Sequence, residues 1–562
     1  DKKIKDRRLR DIIVSEEHKF WKVLTKNSSL NKNNTDLDKR LLENYYKSMG
    51  YYDVTVLSSS AEINQDGYTT LTFNINAGSR YRIKKIYANV DPVFDKKIFI
   101  PLNKEFNDRV GKYYSPFIVK KLLDEVDMLI ADNDLQFVTH DVNEIISGED
   151  IEIKINIFEG TKQTVERIEI KGNTVTNEAV IRSELLLDEG DPFNNLKLDK
   201  SIAKLKSRNL FGKVERKIID GSSNDLKKIE KIVEEKPTGE ISAGAGIGTN
   251  GGSLAFSVKE NNWMGRGIQL STFLDLNADS VKGAFEITNP NHNFTGNQLS
   301  YFVSSAKNDI KDSGYENTIT TTGIGTRFEH YKNIYIAPNI RITYDDLIVL
   351  GTASESLKKQ AGSFTDLTFD YAISSDLRDR SFKPTDGYIS TFAQALPIYA
   401  DSPFIKNSYS FSKYSTLTPN IIGAFKFFGS TITGLEDKDV RISKRLTIPK
   451  SRLRGFEKLG PKDGNDYVGG NYASAVNFEA SLPNLLPEST NTEVGLFFDL
   501  GNVWGVDYNS TIDEKNKIRS STGANISWLS PLGPMTFVIA HDISKASTDV
   551  PQSFKFRLGT TF

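Results

Sequence analysis

The sequence contains no cysteine among its 562 residues. This absence excludes a disulfide framework, a thiolate metal site and a cysteine nucleophile. Lysine and arginine together number 72, and aspartate and glutamate number 73, so the formal net charge is -1. Binding of nucleic acid needs a clustered basic field, and this balance gives no reason to expect a nucleic-acid partner.

Long hydrophobic runs are also absent. Hydrophobic residues make up 38% of the chain, and no run approaches the ~18 consecutive apolar residues that a membrane-spanning helix needs. A transmembrane barrel would escape this test, because its strands alternate apolar and polar residues. The first residues, DKKIKDRRLRD, lack the apolar segment of a signal peptide. We interpret the chain as trimmed, because it begins inside a repeat.

Motifs of common enzyme classes are missing or isolated. Neither GxSxG nor a phosphate-cradling GxxxxGK[ST] occurs, and none of the five histidines belongs to an HExxH pair. Residues 246–251, GIGTNG, match GxGxxG, but they lie in a glycine-rich strand and turn with no helix opening after them. The sequence therefore predicts a protein that is not an enzyme and that needs no cofactor or metal.

The pattern of the chain changes at EEKPTGE, where a charged stretch meets Pro237 and Gly239. Earlier residues mix helical and strand patterns, whereas later residues alternate as strands almost throughout. Two similar segments, INAGSRYRIKKI (75–86) and IFEGTKQTVERI (157–168), recur roughly 80 residues apart. Each follows a helical segment and a short strand, so the first half is predicted to hold tandem small α+β domains.

We divide the chain into four predicted domains. Three α+β domains cover residues 1–79, 80–160 and 161–236, and the first is incomplete at its start. Helical spacing at 36–49, 115–131 and 196–210 gives each domain a long helix. The charged residues 227–236 are predicted as an edge or final strand rather than a basic tail. Residues 237–562 are predicted to form an antiparallel β-barrel of roughly sixteen strands, closed because backbone groups in lipid must be paired.

The ends of the predicted barrel would meet in a weak seam. Ser242, Gly244, Gly246 and Gly248 alternate with the apolar residues Ile241, Ala243, Ala245 and Ile247. Glycine weakens a strand and loosens its register. The last strand has an apolar face that suits lipid and an opposite face with the basic residues Lys555 and Arg557. The apolar face comprises Phe554, Phe556, Leu558, Thr560 and Phe562. A tapered or tightly bent wall would also favour glycine, and this alternative stays open.

A long polar loop contains LRGF, that is Leu453, Arg454, Gly455 and Phe456. Strand alternation places Glu479 and Asp499 in the lumen on adjacent strands. Two nearby carboxylates repel each other unless a cation joins them, and the planar fork of Arg454 suits that geometry. Gly455 would permit a tight turn and Phe456 would be an apolar anchor. The alternative is that Arg454 is a solvated loop charge.

Taken in order, these motifs resemble the BamA family of POTRA-plus-barrel insertases. The family's signature is a (V/I/L)RG(F/Y) loop before the twelfth barrel strand. FEASLP (478–483), FFDLGNVW (497–504), RDRSFKPTDG (378–387), SPLGPM (530–535) and the terminal Phe562 resemble its other motifs, and EEKPTGEISAGAGIG resembles the join between the last POTRA domain and the barrel. BamA proteins usually carry about five POTRA domains and this chain has room for about three, so we interpret it as N-terminally truncated.

The resemblance implies that the protein folds and inserts β-barrel proteins into the outer membrane. Its barrel would lie in that membrane and its POTRA domains in the periplasm. The implied partners are unfolded outer-membrane proteins, accessory outer-membrane lipoproteins, periplasmic chaperones and the lipid bilayer. The loop arginine would dock on the two carboxylates, and the seam of strands 241–248 and 553–562 would act as a lateral gate that templates substrate strands.

Three alternatives remain at this point. A TamA-like translocation and assembly factor fits the domain count. A two-partner secretion transporter would export one protein through the lumen. A passive porin with periplasmic binding modules would need neither the RGF loop nor a glycine-rich seam. Substrate preference, the identity of accessory subunits, the number of missing domains and the resting state of the seam do not follow from the sequence.

Overall fold

The computed structural model describes residues 4, 6–10, 12–15, 32–64, 69–133, 135–249, 251–381, 383–418, 421–483, 485–486, 492–508, 512, 516–530 and 533–559. The chain divides into two compact units. The first comprises Asp1–Lys171, Leu185–Lys204 and Glu215–Ile232, and the second comprises Gly172–Glu184, Leu205–Val214 and Val233–Phe562.

Helices and strands alternate before residue 239, as the repeats predicted. In chain order the elements are α1 (Asp6–Arg10), α2 (Lys32–Ser48), β1 (Thr55–Ile63), β2 (Thr69–Asn76), β3 (Arg82–Val90), α3 (Leu102–Arg109), α4 (Pro116–Asp132), β4 (Val138–Ser147), β5 (Asp150–Glu159), β6 (Thr164–Lys171), α5 (Glu178–Arg182), α6 (Asn195–Ser207), β7 (Phe211–Asp220) and β8 (Leu226–Glu235). Among the described residues, no helix is both long enough and apolar enough to cross a membrane.

The strands of this half form three small sheets. Their orders are β1-β2, β3-β5-β4 and β6-β8-β7. In the two larger sheets the central strand runs parallel to the strand that opens the repeat, β3 or β6, because a helical crossover separates them. Strand β8 contains most of the charged segment 227–236. It is the final strand of its repeat, as predicted, but it is central in its sheet rather than an edge.

The second repeat shows why these residues form these elements. Strand β5 alternates, and its isoleucines 151, 153, 155 and 157 are all buried. Helix α4 places Val119, Leu122 and Val126 on one side at spacings of three and four, and these residues pack into the same core. A strand of period two and a helix of period 3.6 thus share one apolar cluster, which is the two-layer arrangement of an α+β domain.

Strands dominate the chain from residue 239 onward. They are β9 (Gly239–Gly248), β10 (Gly251–Trp263), β11 (Ile268–Asn277), β12 (Ser280–His292), β13 (Asn297–Ile310), β14 (Tyr315–Tyr331), β15 (Ile334–Val349), β16 (Gly362–Asp376), β17 (Gly387–Ala400), β18 (Phe404–Thr418), β19 (Ile421–Gly434), β20 (Phe456–Lys458), β21 (Lys462–Asp463), β22 (Asp466–Tyr467), β23 (Tyr472–Leu482), β24 (Thr492–Trp504), β25 (Arg519–Ser530), β26 (Gly533–Ser544), β27 (Val550–Pro551) and β28 (Phe554–Gly559), with a short helix α7 (Glu355–Lys358) between β15 and β16.

Sixteen of these strands close into one barrel. The order runs from β10 through β19, then β23, β24, β25, β26 and β28, and returns to β9. Each described ladder between neighbours is antiparallel, so successive turns lie at alternate ends of the barrel. The structure confirms the predicted arrangement of tandem α+β domains followed by an antiparallel barrel of roughly sixteen strands.

The two faces of the barrel strands differ in the predicted way. On β24, Phe497 and Asp499 are buried on the inner face, whereas Leu496 on the opposite face is exposed. On β23, Asn477 is buried and its neighbour Phe478 is exposed. The outward face is therefore apolar and the inward face holds polar and charged groups, as expected for a barrel in lipid.

Candidate functional site

The LRGF loop folds back against the inner wall of the barrel. Residues 435–471, between β19 and β23, contain an apolar cluster to which Leu453 and Phe456 belong. Both side chains are buried. They pack with Val503 of β24 and with Ile448 of the same loop. Burial of these side chains fixes the loop on either side of Arg454, so the guanidinium is directed at the wall.

Arg454 docks on the two carboxylates that strand alternation predicted. Its Nε donates to Asp499 Oδ2 at 2.8 Å, and its Nη2 donates to Asp499 Oδ1 at 2.7 Å. The same Nη2 donates to Glu479 Oε1 at 2.9 Å. Asp499 is 0% exposed, so this bidentate pair is shielded from water. The structure thus brings together the three residues, and Arg454 is not a solvated loop charge.

Further contacts complete the cluster. The guanidinium of Arg454 lies 3.8 Å from the ring centroid of Phe497, within range of a cation–π interaction. Lys426 of β19 donates to Glu479 at 2.5 Å, and the amide of Asn477 donates to Asp499 Oδ1 at 2.8 Å. Two cations therefore balance two anions. Burial opposes the charge on Arg454, but hydrogen bonds and attraction to Asp499 and Glu479 outweigh it and raise the pKa of Arg454.

Gly455 occupies a backbone conformation that other residues rarely adopt. Its φ is +89°, and an added Cβ would lie 3.1 Å from the Cβ of Ala540 and 3.2 Å from that of Ser521. A side chain here would meet both backbone strain and the wall. The glycine therefore allows the loop to turn while lying close to β25 and β26, as the motif predicted.

The loop also pairs with the segment that leads into the last strand. Phe456 in β20 pairs with Pro551 in β27, and the N–H of Gln552 donates to the carbonyl of Gly455 at 2.9 Å. Strand β28 begins two residues after Gln552. The RGF motif is thus joined by backbone bonds to the chain just before the seam, a link that sequence reasoning missed because β20 and β27 are very short.

A second buried ion pair lies close to this link and was not predicted. Arg519 at the start of β25 donates through Nε and Nη2 to the two carboxylate oxygens of Asp549, at 2.9 Å and 3.0 Å. Both side chains are 0% exposed. Asp549 also accepts from the N–H of Ala546. Arg519 begins β25 and Asp549 lies in the connection after β26, 30 positions later, so no periodicity connects them in the sequence.

The seam is held by very few backbone pairs. Among the described residues, β28 and β9 share three register pairs, in which Arg557, Leu558 and Gly559 face Gly248, Ile247 and Gly246. By contrast, β9 and β10 share ten pairs, from Gly251↔Gly248 to Glu260↔Gly239. A Cβ on Gly248 would lie 2.5 Å from the carbonyl oxygen of Phe556, so glycine permits the close approach of the two strands.

The exposure of the seam residues alternates along β9. Ile241, Ile247 and Phe554 are exposed, whereas Gly244, Gly246 and Gly248 alternate with the exposed residues of β9. The ring of Phe556 lies 5.3 Å from that of Phe537 on β26. Phe562 lies outside the described residues. Within the described ranges, histidine and carboxylate side chains form no group of three that could hold a metal ion.

Tandem POTRA-type repeats, a closed 16-strand barrel and an arginine loop docked on the inner wall define an outer-membrane protein of the POTRA-plus-barrel class. The sequence profile of the Omp85 superfamily domain matches residues 262–562, more than half of the chain, and the chain belongs to this superfamily. The POTRA profile, described as a surface antigen variable number repeat, matches residues 1–78 and 163–236.

Similar curated proteins carry a common description. The outer membrane protein assembly factor BamA of Neorickettsia risticii (strain Illinois) is 24% identical over 573 residues, covering 99% of this chain and 76% of that protein. BamA of Neisseria meningitidis serogroup B is 24% identical, with 99% of this chain and 76% of that protein covered. Nearly the whole chain thus aligns with about three quarters of the length of each relative.

Solved structures confirm the fold. BamA from Haemophilus ducreyi lacking POTRA domains 1–3 superposes with a TM-score of 0.62 at 20% identity, over 86% of this chain and 100% of that one. CdiB from Escherichia coli superposes with a TM-score of 0.51 at 13% identity, over 94% of this chain and 97% of that one. At these identities the likeness extends to the architecture alone.

Proposed function

We propose that this protein folds β-barrel proteins and inserts them into the outer membrane, with its own barrel in that membrane and its POTRA domains in the periplasm. The seam carries the proposal, because the glycine-rich strand β9 closes the barrel against the last strand, β28. Relatives named as outer membrane protein assembly factors cover 99% of the chain, which supports the same function. The activity exchanges hydrogen bonds and buries apolar surface, and it makes no covalent bond.

The seam would serve as a template for substrate strands. Strand β9 has ten residues, but β28 pairs with it only at residues 246–248 among the described positions. An unpaired strand edge presents free N–H and C=O groups that recruit another strand. An incoming strand could therefore add to β9, extend into a sheet and leave as a closed barrel.

The docked loop would brace the wall while the seam opens. Arg454 joins β23 and β24 through Glu479 and Asp499, and the same loop pairs with β27 just before β28. We propose that Leu453, Gly455 and Phe456 hold this arginine in place. The brace would keep β23 and β24, which lie close to the moving strand β28 in the barrel order, in register.

The POTRA domains would receive the substrate. We propose boundaries at residues 1–79, 80–160 and 161–236 for these domains and 237–562 for the barrel. Strands β4 and β7 each end the order of a three-stranded sheet, so each offers an edge to an extended chain. Unfolded outer-membrane proteins, periplasmic chaperones and accessory lipoproteins are the partners we propose for these surfaces.

A folding assay with a lockable seam tests the function. The chain has no cysteine, so Ile247→Cys with Leu558→Cys places a unique pair at register partners across the seam. Ala245→Cys with Leu254→Cys places a matched pair between β9 and β10, away from the seam. Each variant is reconstituted in liposomes, and the folding of a urea-unfolded outer-membrane barrel is followed by gel mobility, oxidised and reduced.

We expect the protein to accelerate folding over empty liposomes. Oxidation of the seam pair should abolish the acceleration and reduction should restore it, whereas oxidation of the matched pair should have no effect. Acceleration that survives a locked seam would refute the template mechanism. Ion conductance or export of one partner without any acceleration would instead favour a porin or a two-partner secretion transporter.

A further inference from the structure

A row of polar and aromatic side chains crosses the outer wall of the barrel from β16 to β24. Its members are register partners on six neighbouring strands: Tyr371, Gln394, Asn407, Thr431, Tyr472 and Trp504. The row lies on the outer face, because Tyr472 is six residues before the outward-facing Phe478 on β23, and side chains an even number of residues apart share a face. Amide and hydroxyl groups on a wall that faces lipid are costly unless they are hydrogen-bonded.

Three hydrogen bonds link the first four side chains of the row. The hydroxyl of Tyr371 donates to Gln394 Oε1 at 2.9 Å, and Gln394 Nε2 donates to Asn407 Oδ1 at 2.6 Å. Asn407 Nδ2 then donates to Thr431 Oγ1 at 3.3 Å, and the hydroxyl proton of Thr431 has no acceptor among the described residues. Each amide also keeps a second proton. The row therefore has spare donors, which suit a ligand oxygen that carries no proton.

A groove runs beside this row, on the side towards the middle of the wall. The next register partners there are Tyr409, Gly429 and Ser474 on β18, β19 and β23. A Cβ on Gly429 would lie 3.3 Å from the ring of Phe427, so glycine lets this ring pack close to the wall. The groove has a volume of about 300 Å³, and its aromatic borders are Phe392, Tyr409, Tyr472 and Trp504. None of its lining residues is charged, so the groove suits a hydrocarbon chain.

The height of the row in the bilayer follows from the strand ends. Strand β18 begins at Phe404 and β19 ends at Gly434, so Asn407 and Thr431 each lie three residues, about 10 Å along a strand, from this rim. The rim is opposite the start of β9, and it is the cell-surface end because the POTRA domains that precede β9 are periplasmic.

The aromatic end of the row marks the same level. The rings of Tyr472 and Trp504 are stacked with their centroids 5.6 Å apart. Tyrosine and tryptophan concentrate at the boundary between lipid headgroups and acyl chains. The row thus lies where an acyl chain is joined to its headgroup through a carbonyl group.

We propose that this groove binds one acyl chain of an outer-leaflet lipid, and that Gln394, Asn407 and Thr431 donate hydrogen bonds to the carbonyl oxygen at the head of that chain. Lipid is the occupant because the outer wall of a membrane-spanning barrel is surrounded by lipid. The chain lies over Gly429 and Ser474, on the side of the row towards the middle of the bilayer. Since no charge lines the groove, the site recognises the linkage of the chain rather than the headgroup. The proposal rests on the proposed function only in requiring that the barrel spans a membrane.

Tryptophan quenching tests the site, because Trp504 lies at its border. The sequence has four tryptophans, and replacing Trp21, Trp263 and Trp528 with phenylalanine leaves Trp504 as the reporter. A control chain keeps Trp528 alone, which is exposed on β25 four residues from the register partner of the outward-facing Leu496. Both chains are reconstituted in a diacyl phosphatidylcholine that is brominated in the upper part of its acyl chains and quenches tryptophan on contact. An unbrominated competitor is then added, either ester-linked or ether-linked, and the ether lacks the carbonyl.

At Trp504 we expect the ether-linked competitor to relieve quenching about threefold to tenfold less effectively than the ester-linked one, the range for loss of one hydrogen bond. At Trp528 the two competitors should be equally effective, because that surface contacts ordinary surrounding lipid. Equal competition at Trp504 would overturn the proposal. Quenching of Trp528 with none at Trp504 would also overturn it, because protein rather than lipid would then cover the groove. If neither tryptophan is quenched, the barrel does not span the bilayer, and the proposed function fails together with this proposal.

Two variants of the Trp504 chain assign the preference to this groove. Thr431→Val removes the spare hydroxyl and retains the shape, and we expect the preference for the ester to fall. Gly429→Leu fills the groove, and we expect weaker quenching and no preference. Thr322→Val is the matched control and should leave the preference unchanged, since Thr322 on β14 is the register partner of the exposed Val303 and lies outside the groove. An unchanged preference in both groove variants, with the heat-modified gel mobility of the parent, would overturn the assignment.

Discussion

Replacing Arg454 with alanine leaves two carboxylates close together against the barrel wall. Asp499 would lose three hydrogen bonds if the backbone bond from residue 454 also lengthens, because it accepts from the N–H, Nε and Nη2 of Arg454. The amide of Asn477 would be its remaining described donor. Glu479 would keep Lys426. The uncompensated charge is therefore mainly that of Asp499, which is 0% exposed.

The size of the effect follows from this burial. Removing one partner of a buried ion pair costs about 3–5 kcal/mol, since the other charge is left without compensation. Removing both charges costs much less, because the desolvation penalty disappears with them. We therefore expect Arg454→Ala to destabilise the barrel by about 3–5 kcal/mol, and Arg454→Met combined with Asp499→Asn to recover most of that loss.

Urea unfolding in detergent micelles, followed by tryptophan fluorescence and by heat-modified gel mobility, measures the change. Arg452→Ala is the matched control, because Arg452 lies two residues away over the ring of Phe428 and makes no ion pair among the described residues. It should shift the unfolding midpoint much less. Equal stability of Arg454→Ala and the parent chain, or no recovery in the double variant, would refute the view that this pair braces the wall.

Three further changes give separate expectations. Arg519→Met should destabilise the barrel by about 3–5 kcal/mol, with most of the loss restored by adding Asp549→Asn, as read by urea unfolding. Gly455→Ala should lower the temperature at which gel mobility changes. An alanine at this position would have a strained backbone at φ +89°, and its Cβ would lie 3.1 Å from the Cβ of Ala540. Burial lowers the pKa of Lys231 to about 8, and its Nζ has no hydrogen-bond partner among the described residues. Between pH 8 and 10.5 the folded chain has released the Lys231 proton while the unfolded chain still holds it, so raising the pH favours the folded state. The hydrogen-exchange protection of β8, corrected for intrinsic exchange rates, should therefore rise over this range. Lys231→Met should remove that rise and add about 3 kcal/mol of local stability at neutral pH; a flat profile in the parent would contradict this account.

Strand alternation predicted much of the barrel because its period is local. Alternation alone placed Glu479 and Asp499 on the inner face and Phe478 on the outer one, and the structure agrees. The predicted count of roughly sixteen strands followed from the spacing of turns. The residues alone offered Arg454 as a cation for these carboxylates but left a solvated loop charge as an alternative, and it was the resemblance to the BamA family that implied the pairing.

Other parts of the site depend on contacts between residues far apart in the sequence, which no periodic pattern predicts. Arg519 and Asp549 meet because two turns converge at one end of the barrel, and Lys426 reaches Glu479 from a strand 53 positions away. The ladder between β20 and β27 is too short to leave an alternating signature. Convergence of this kind is set by barrel closure, so it becomes visible only in three dimensions.

The uneven seam also determines how the barrel responds to mechanical load. A ring of strands under lateral pressure from the bilayer carries the same tension through every junction, and it yields where the fewest bonds share that tension. The glycine-rich strand β9, which lacks side chains at Gly244, Gly246 and Gly248, puts that point at its junction with β28. Thinner or more curved membranes, which change the lateral pressure, should therefore alter the opening of this junction more than that of the others.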